Sequence, residues 1–240
     1  MVTAGGFVKQ ESSHPTNAKG RPSRRKAAAG QSKGVGGQAR RARALATEAS
    51  LVRSAREIFE RDGFVNARIL DIAENAEVAY GSFYTYFDSK EEIFRAVAHA
   101  VAEDMYSNAY PPQSEEVGQR SALVRIEEAN RRYLESYARN AKVWAVIHQV
   151  ATFDDFAREL LREIRLRFVR RAAQALKRRQ EDGLAPRDVD PELAADLLGG
   201  MIENYAYLHL ALDDPASPAE LDRVIAEATR IWARAIDLKP

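Results

Sequence analysis

The chain contains no cysteine. That excludes disulfides, thiolate metal sites and cysteine nucleophiles, and it suits a reducing cytoplasm. Long apolar runs are missing too: the stretch VWAVIHQVATF, residues 143–153, is too short to span a bilayer. No apolar stretch opens the chain, so no secretory signal is expected. No segment alternates apolar and polar residues as a half-buried strand does. Enzyme signatures are absent: no Gly-rich phosphate loop follows a strand, and no His-x-x-x-His or Glu-x-x-His cluster falls on a helix. The pair Asp154–Asp155 near His148 reads as a helix start with Asp154 as cap, not as metal ligands. No catalytic residue, metal site or cofactor is expected, and the chain is not expected to be an enzyme.

What is present is a divided charge. The formal net charge is +1. Residues 1–44 nevertheless hold ten Lys/Arg against the single acid Glu11, leaving the remainder at −8. A basic tail on a mildly acidic body suggests contact with a polyanion. Residues 1–40 carry seven of the thirteen glycines and few large apolar residues. They bury too little to offset ordering, so residues 1–42 are expected to form a disordered basic tail. Within it KGRPSRRK, residues 19–26, resembles the core of an AT-hook, whose Arg-Pro segment lies in a narrow minor groove.

From about residue 43 the periodicity is helical. Leu51, Val52, Ala55, Ile58 and Phe59 share one face, and Gly63 ends that helix as its C′ residue. A short helix near 69–76 places Ile69, Ile72, Ala73 and Ala76 inward, and a second covers about 80–86. Ser89 with Glu92 reads as a capping box for the next helix, which stops before Pro111–Pro112. Five further helices follow. One carries Leu123 to Tyr137, and a short one carries Val143 to Val150. A long one spans 154–181 and ends before Gly183. The next begins at Asp190–Pro191 and the last at Ser217–Pro218. The expected fold is all-α with about nine helices.

The stretch YGSFYTYF, residues 80–87, concentrates five aromatics in a chain that has twenty. Phe83 and Phe87, four apart, fall on the side of Ile72 and Val78 and read as core. Tyr80, Tyr84 and Tyr86 lie elsewhere, beside the small Gly81 and Ser82. Tyrosines at a helix rim can bond a phosphate or touch a thymine methyl. Residues 69–76, the tight connection Glu77–Val78–Ala79 and the second short helix make a helix-turn-helix, whose second helix enters the major groove. Lys90 begins the following helix, where its ammonium can meet phosphate.

The segment IFERDGFVNARILDIAENAEVAYGSFYTYFDSKEEIF, residues 58–94, resembles the DNA-binding segment of the TetR family of bacterial transcriptional regulators. That resemblance implies an N-terminal three-helix DNA-binding domain, a C-terminal helical body with an effector pocket, and a homodimer. It places Tyr80, Gly81, Ser82, Tyr84, Tyr86 and Lys90 on DNA-facing positions. Two departures stand out. Ala67–Arg68 replaces the usual threonine, which removes a cap worth about 1 kcal/mol and leaves Arg68 as a phosphate contact. Glu77 stands where a left-handed residue is expected, at a cost of roughly 1–2 kcal/mol.

For the body, an effector pocket is expected from Trp144, His148, Phe168, Met201, Asn204 and Tyr205, an aromatic set with a few polar groups. Phe153, Phe156 and His209 lie on the same helices. The homodimer is expected through the last two helices, lined by Leu193, Leu197, Met201, Leu208 and Leu212, and by Leu221 to Trp232. The division expected is tail 1–42, DNA-binding domain 43–92, and effector and dimerisation domain 93–240. The function expected is a cytoplasmic repressor. It would bind double-stranded DNA at a pseudo-palindromic operator and release it with a small-molecule effector, without a membrane partner. The alternative is a tail-driven architectural DNA binder of low specificity.

Overall fold

The computed structural model describes residues 32–109, 121–212 and 217–237. The AT-hook-like segment, most of the basic tail and the Pro111–Pro112 stop lie outside them. Two compact units divide the chain, residues 1–43 and 44–240. Of the first, residues 32–43 are described, and they are the opening turns of α1.

Among the described residues there are nine α-helices and no strand: α1 (Ser32–Asn66), α2 (Ile69–Asn75), α3 (Tyr80–Phe83), α4 (Lys90–Ala109), α5 (Ala122–Arg139), α6 (Ala141–Ala151), α7 (Asp155–Glu181), α8 (Pro191–Ala206) and α9 (Pro218–Ala235). A π-helical turn, Tyr207–Ala211, continues α8. The start of α1 corrects one expectation, since helix reaches back to Ser32 through residues expected to be irregular. Composition measured the want of an apolar face there, but QARRARALA, residues 38–46, is rich in Ala, Arg, Gln and Leu, which are strong helix formers; the glycine-rich SKGVGG before it has no such preference. Once the downstream turns are pinned, each added residue needs only propagation, not a new nucleus. Gly63, at φ +72, breaks the helical path as expected, but helix resumes after it and α1 runs on to Asn66 instead of ending there.

The expected caps form. Asp154 accepts from Ala157 N at 2.9 Å, and Asp190 from Glu192 N and Leu193 N at 2.9 Å each. Ser217 and Glu220 make a reciprocal capping box. At α4, Ser89 Oγ accepts from Glu92 N, but Glu92 reaches back to the Asp88 N–H, one residue beyond the expected partner. Gly183, at φ +71, follows the end of α7.

One apolar core runs through the second unit. Leu51, Ala55, Ile58 and Phe59 of α1 meet Ile72 of α2, Phe83 and Phe87, and Ile93, Phe94 and Val97 of α4. The Phe64 and Phe94 rings meet edge to face at 5.1 Å. The same core continues through Leu134 and Tyr137 of α5, Trp144 and Ile147 of α6, and Ile202 and Ala206 of α8. Helix α4 belongs to both ends: it starts beside the short helices and packs on α5, α6 and α7 further along. Helix α7 pairs with α8, and α9 with α5. Among the described residues no helix is long and apolar enough to cross a membrane.

Candidate nucleic-acid interface

Helix α2 is held on α1 by a hydrogen-bonded knot that periodicity does not reveal. The buried Ser54 donates its hydroxyl to Ile72 O at 2.7 Å. Asn75 Nδ2 donates to Ser54 Oγ at 3.1 Å and to Glu57 Oε2 at 2.8 Å. At the other end of α2, Arg68 occupies the cap position without capping. Its Nε and Nη2 instead grip Asp71 at 2.7 and 2.6 Å. The Arg68 guanidinium holds the Asp71 carboxyl below its usual range. Two of five guanidinium N–H groups are thereby occupied, and the Arg68 side chain stays 71% exposed.

The turn after α2 is a Schellman motif. Glu77 N donates to Glu74 O and Val78 N to Ala73 O, both at 3.0 Å. Glu77 has φ 57, so the left-handed conformation expected of it is present on a carboxylate residue where glycine is favoured. Val78 leaves the turn against the core, which aims the next helix.

Helix α3 is one α-turn, Tyr80–Phe83, shorter than the expected 80–86. Tighter bonds continue it: Thr85 N to Ser82 O at 3.1 Å and Tyr86 N to Phe83 O at 2.9 Å. Phe83 and Phe87 are buried, as their spacing predicts. Tyr80 and Tyr84 are 49% and 46% exposed, with hydroxyls 2.9 Å apart and rings edge to face at 5.5 Å. A Cβ on the exposed Gly81 would meet nothing within 4 Å. The smallness of residue 81 therefore answers to nothing inside the fold, and it leaves the face open to close approach. Ser82 is half-buried beside it.

Two expected contacts are placed differently. Tyr86 is half-buried and packs against the core, so only part of its ring faces outward. Lys90 turns inward. Its Nζ donates to Phe64 O at 2.8 Å, Val65 O at 3.2 Å and Ala67 O at 2.9 Å, and lies 4.7 Å from the centre of the Phe64 ring. All three ammonium protons are engaged. The reason is electrostatic: the end of α1 presents unpaired carbonyls, and a cation close by satisfies them.

The expected effector residues do not converge on one place. Trp144 is 1% exposed and stacks on Tyr137 at 5.4 Å and 14°. His148, half-buried, has Nε2 3.5 Å from the Tyr137 hydroxyl and its ring 4.2 Å from Tyr207. Burial lowers the His148 pKa and raises that of Tyr137. Phe168 packs instead on Tyr133 at 5.1 Å and Tyr106 at 6.1 Å. Met201 and Asn204 lie on the exposed side of α8, and Tyr205 rests against the His209 ring at 4.6 Å. The inward side of α8 carries Glu203, largely buried, and past its end Tyr207, four residues on. Neither was picked out from the sequence. Two concavities lie elsewhere. An open groove of about 910 Å³ runs between α1 and α4, floored by Val52, Ala96 and Ala100 with Arg53, Arg56 and Arg139 at its edges. A crevice of about 200 Å³ lies where Phe153 and Val150 approach Phe64 and Phe94.

The expected dimer stripe is exposed. Leu193, Leu197, Met201, Leu208 and Leu212 leave 38–66% of their surface uncovered, and Ile231 of α9 leaves 40%. Ile225 and Ala228 of α9 instead face the core.

A helix-turn-helix whose second helix stands on buried rings and shows polar ones, set below an all-helical body, defines a DNA-binding regulator class. Residues 51–97 match the profile described as bacterial regulatory proteins, tetR family, and residues 121–235 that of the AefR-like transcriptional repressor C-terminal domain. The chain belongs to the TetR family of transcriptional regulators. It is 24% identical over 156 residues to the HTH-type transcriptional repressor DhaR of Mycobacterium sp. strain GP1, covering 62% of this chain and 74% of that one. Its fold matches a TetR-family regulator structure from Mesorhizobium loti with TM-score 0.63 at 20% identity, covering 80% and 98% of the two chains. A transcriptional regulator from Rhodococcus sp. Rha1 matches with TM-score 0.63 at 19% identity, covering 80% and 99%.

Proposed function

We propose that the chain is a cytoplasmic repressor that binds a pseudo-palindromic operator as a homodimer and leaves it when a small molecule binds the body. The observation that carries this is the arrangement of α3: Phe83 and Phe87 fasten it, while Tyr80, Gly81 and Tyr84 stand outward. On this reading residues 43–92 bind DNA, with Tyr80, Gly81, Ser82 and Tyr84 at base edges and phosphates and Arg68 at the backbone. Tyr86 contributes a rim contact, and Lys90 acts by fixing the start of α4 rather than by touching phosphate. Residues 93–240 hold the effector and the dimer face. The exposed leucines of α8 support that face, because a stripe of this kind covers itself in a four-helix bundle.

Release follows as a population shift. Helix α4 is tied by Lys90 to the end of α1 and packed further along on α5, α6 and α7. A body conformation that tilts α4 changes the separation of the two α3 helices from the ~34 Å that successive grooves require.

The test is selection from a random duplex library at about 150 mM salt, with the full chain and with residues 1–40 deleted. Enrichment of one two-fold-symmetric site by both forms supports the reading. Recovery of A·T-rich tracts alone, lost on deletion, moves the function to the basic tail.

A further inference from the structure

We propose that the effector is an uncharged aromatic compound bearing a hydrogen-bond-accepting oxygen, a phenol or aryl ketone in class, bound against Trp144, Tyr137, His148 and Tyr207. This rests on the effector-responsive reading given above. The indole Nε1–H of Trp144 is buried without an acceptor. Buried N–H groups are nearly always paired, so this donor suits a ligand that brings an acceptor. Around it stand ring faces: Tyr137 stacked on the indole, and Tyr207 over His148.

The ligand's charge follows from the groups nearby. Burial keeps the His148 imidazole uncharged at neutral pH and keeps the proton on Tyr137. Burial raises the Glu203 pKa, against the pull of the Arg165 guanidinium. The cation beside it, Arg165 of α7, is already divided between two carboxylates of α8, with Nε 2.8 Å from Asp196 Oδ1 and Nη1 2.7 Å from Glu203 Oε2. An anionic ligand finds Arg165 already taken by Asp196 and Glu203, with no cation left to pair it. A cationic ligand finds Glu203 already paired with Arg165, so its charge is buried without a partner. A neutral acceptor on an aromatic frame satisfies both conditions.

Admission requires a wall that yields, and α8 is that wall. Arg165 lies across Gly200, where a Cβ would come within 2.7 Å of Nη2. Beyond Gly199–Gly200 the helix passes into the π turn that begins at Tyr207. Glycines and π turns are the least favoured lengths of a helix. The same helix carries the exposed leucine stripe, so a ligand that displaces it reaches the dimer face directly.

The test uses the full chain labelled with ¹⁵N and follows its two indole N–H resonances, assigned with Trp232→Phe. Trp232 Nε1 is also buried and unpaired, so it is the internal control. Acetophenone and phenol should move the Trp144 resonance saturably and leave Trp232 in place. Benzoate and benzyltrimethylammonium should need about tenfold higher concentration. Trp144→Phe, its folding checked by thermal unfolding, should weaken acetophenone binding about five- to tenfold, the loss of one hydrogen bond. The proposal is overturned if acetophenone and phenol leave Trp144 unmoved up to their solubility, or if either charged probe moves it at lower concentration. Operator binding in the same samples separates the two readings. Release by a compound that leaves Trp144 unmoved removes this site and keeps effector control. A Trp144 response with the operator still held keeps the site and removes the proposed release.

Discussion

Two aromatic pairs of this chain are made from similar parts. Tyr80 and Tyr84 meet edge to face at 5.5 Å on the outer side of α3. Tyr137 and Trp144 stack at 5.4 Å in the body. The first pair is about half exposed and its hydroxyls bond each other, whereas the second is closed to solvent and its indole N–H bonds nothing. Ring chemistry does not separate them. The outer pair comes from one turn of one helix, fixed by Phe83 and Phe87 beneath it. The inner pair joins two helices, so its geometry depends on the packing of the whole body. An outer ring is therefore free to serve a partner, and an inner ring first holds the fold.

The largest test of that contrast is stability. Trp144→Ala should cost about 3–5 kcal/mol in urea unfolding, and Tyr80→Ala should stay within about 0.5 kcal/mol. Equal losses would erase the distinction. Lys90→Met comes next. If the ammonium serves the α1 carbonyls, stability falls by about 2 kcal/mol and the salt slope of operator binding is unchanged; a phosphate contact would instead lower the slope by about 1. Glu77→Gly should raise stability by about 1 kcal/mol, because it relieves the left-handed residue. Tyr84→Phe should cost about 1 kcal/mol of operator affinity without moving the thermal midpoint.

The smallest effect is on pH. The half-buried His148 binds a proton less readily than in the unfolded chain. Between the ordinary value of 6.5 and the lower folded one, the unfolded state holds more protons, so stability declines as pH falls through that window. His148→Gln should narrow the difference in unfolding free energy between pH 8 and pH 5. An unchanged difference would show that the imidazole is not held neutral by burial.

The helix-turn-helix region was largely legible because its determinants are local. The Phe83–Phe87 spacing, the left-handed Glu77 and the Ser89 cap each involve residues within four positions of one another. The inward turn of Lys90 was not legible because its partners, the carbonyls of Phe64, Val65 and Ala67, lie more than twenty residues earlier in the chain. In the body, helix lengths and caps were readable, but the phase of α8 was not. That helix carries apolar residues on both sides, Leu193 and Leu197 outward and Ala195 and Ile202 inward. Periodicity gives a helix with two apolar faces no inside, so Met201 and Asn204 were expected inward where Glu203 and Ile202 are the less exposed neighbours. Ser54, small and polar, carried no sign of the knot it ties with Asn75.

Gly200 has a consequence for heredity. What this position contributes to the contact between α7 and α8 is the absence of a side chain, and the Arg165 guanidinium fills the space. A single-base change to alanine puts a carbon within 2.7 Å of Nη2, so the end of Arg165 that meets the two carboxylates must shift. If a small molecule releases the regulator from DNA, a genetic screen for clones that no longer answer it should return this glycine, although it touches neither Tyr80 and Tyr84 nor the Tyr137–Trp144 pair.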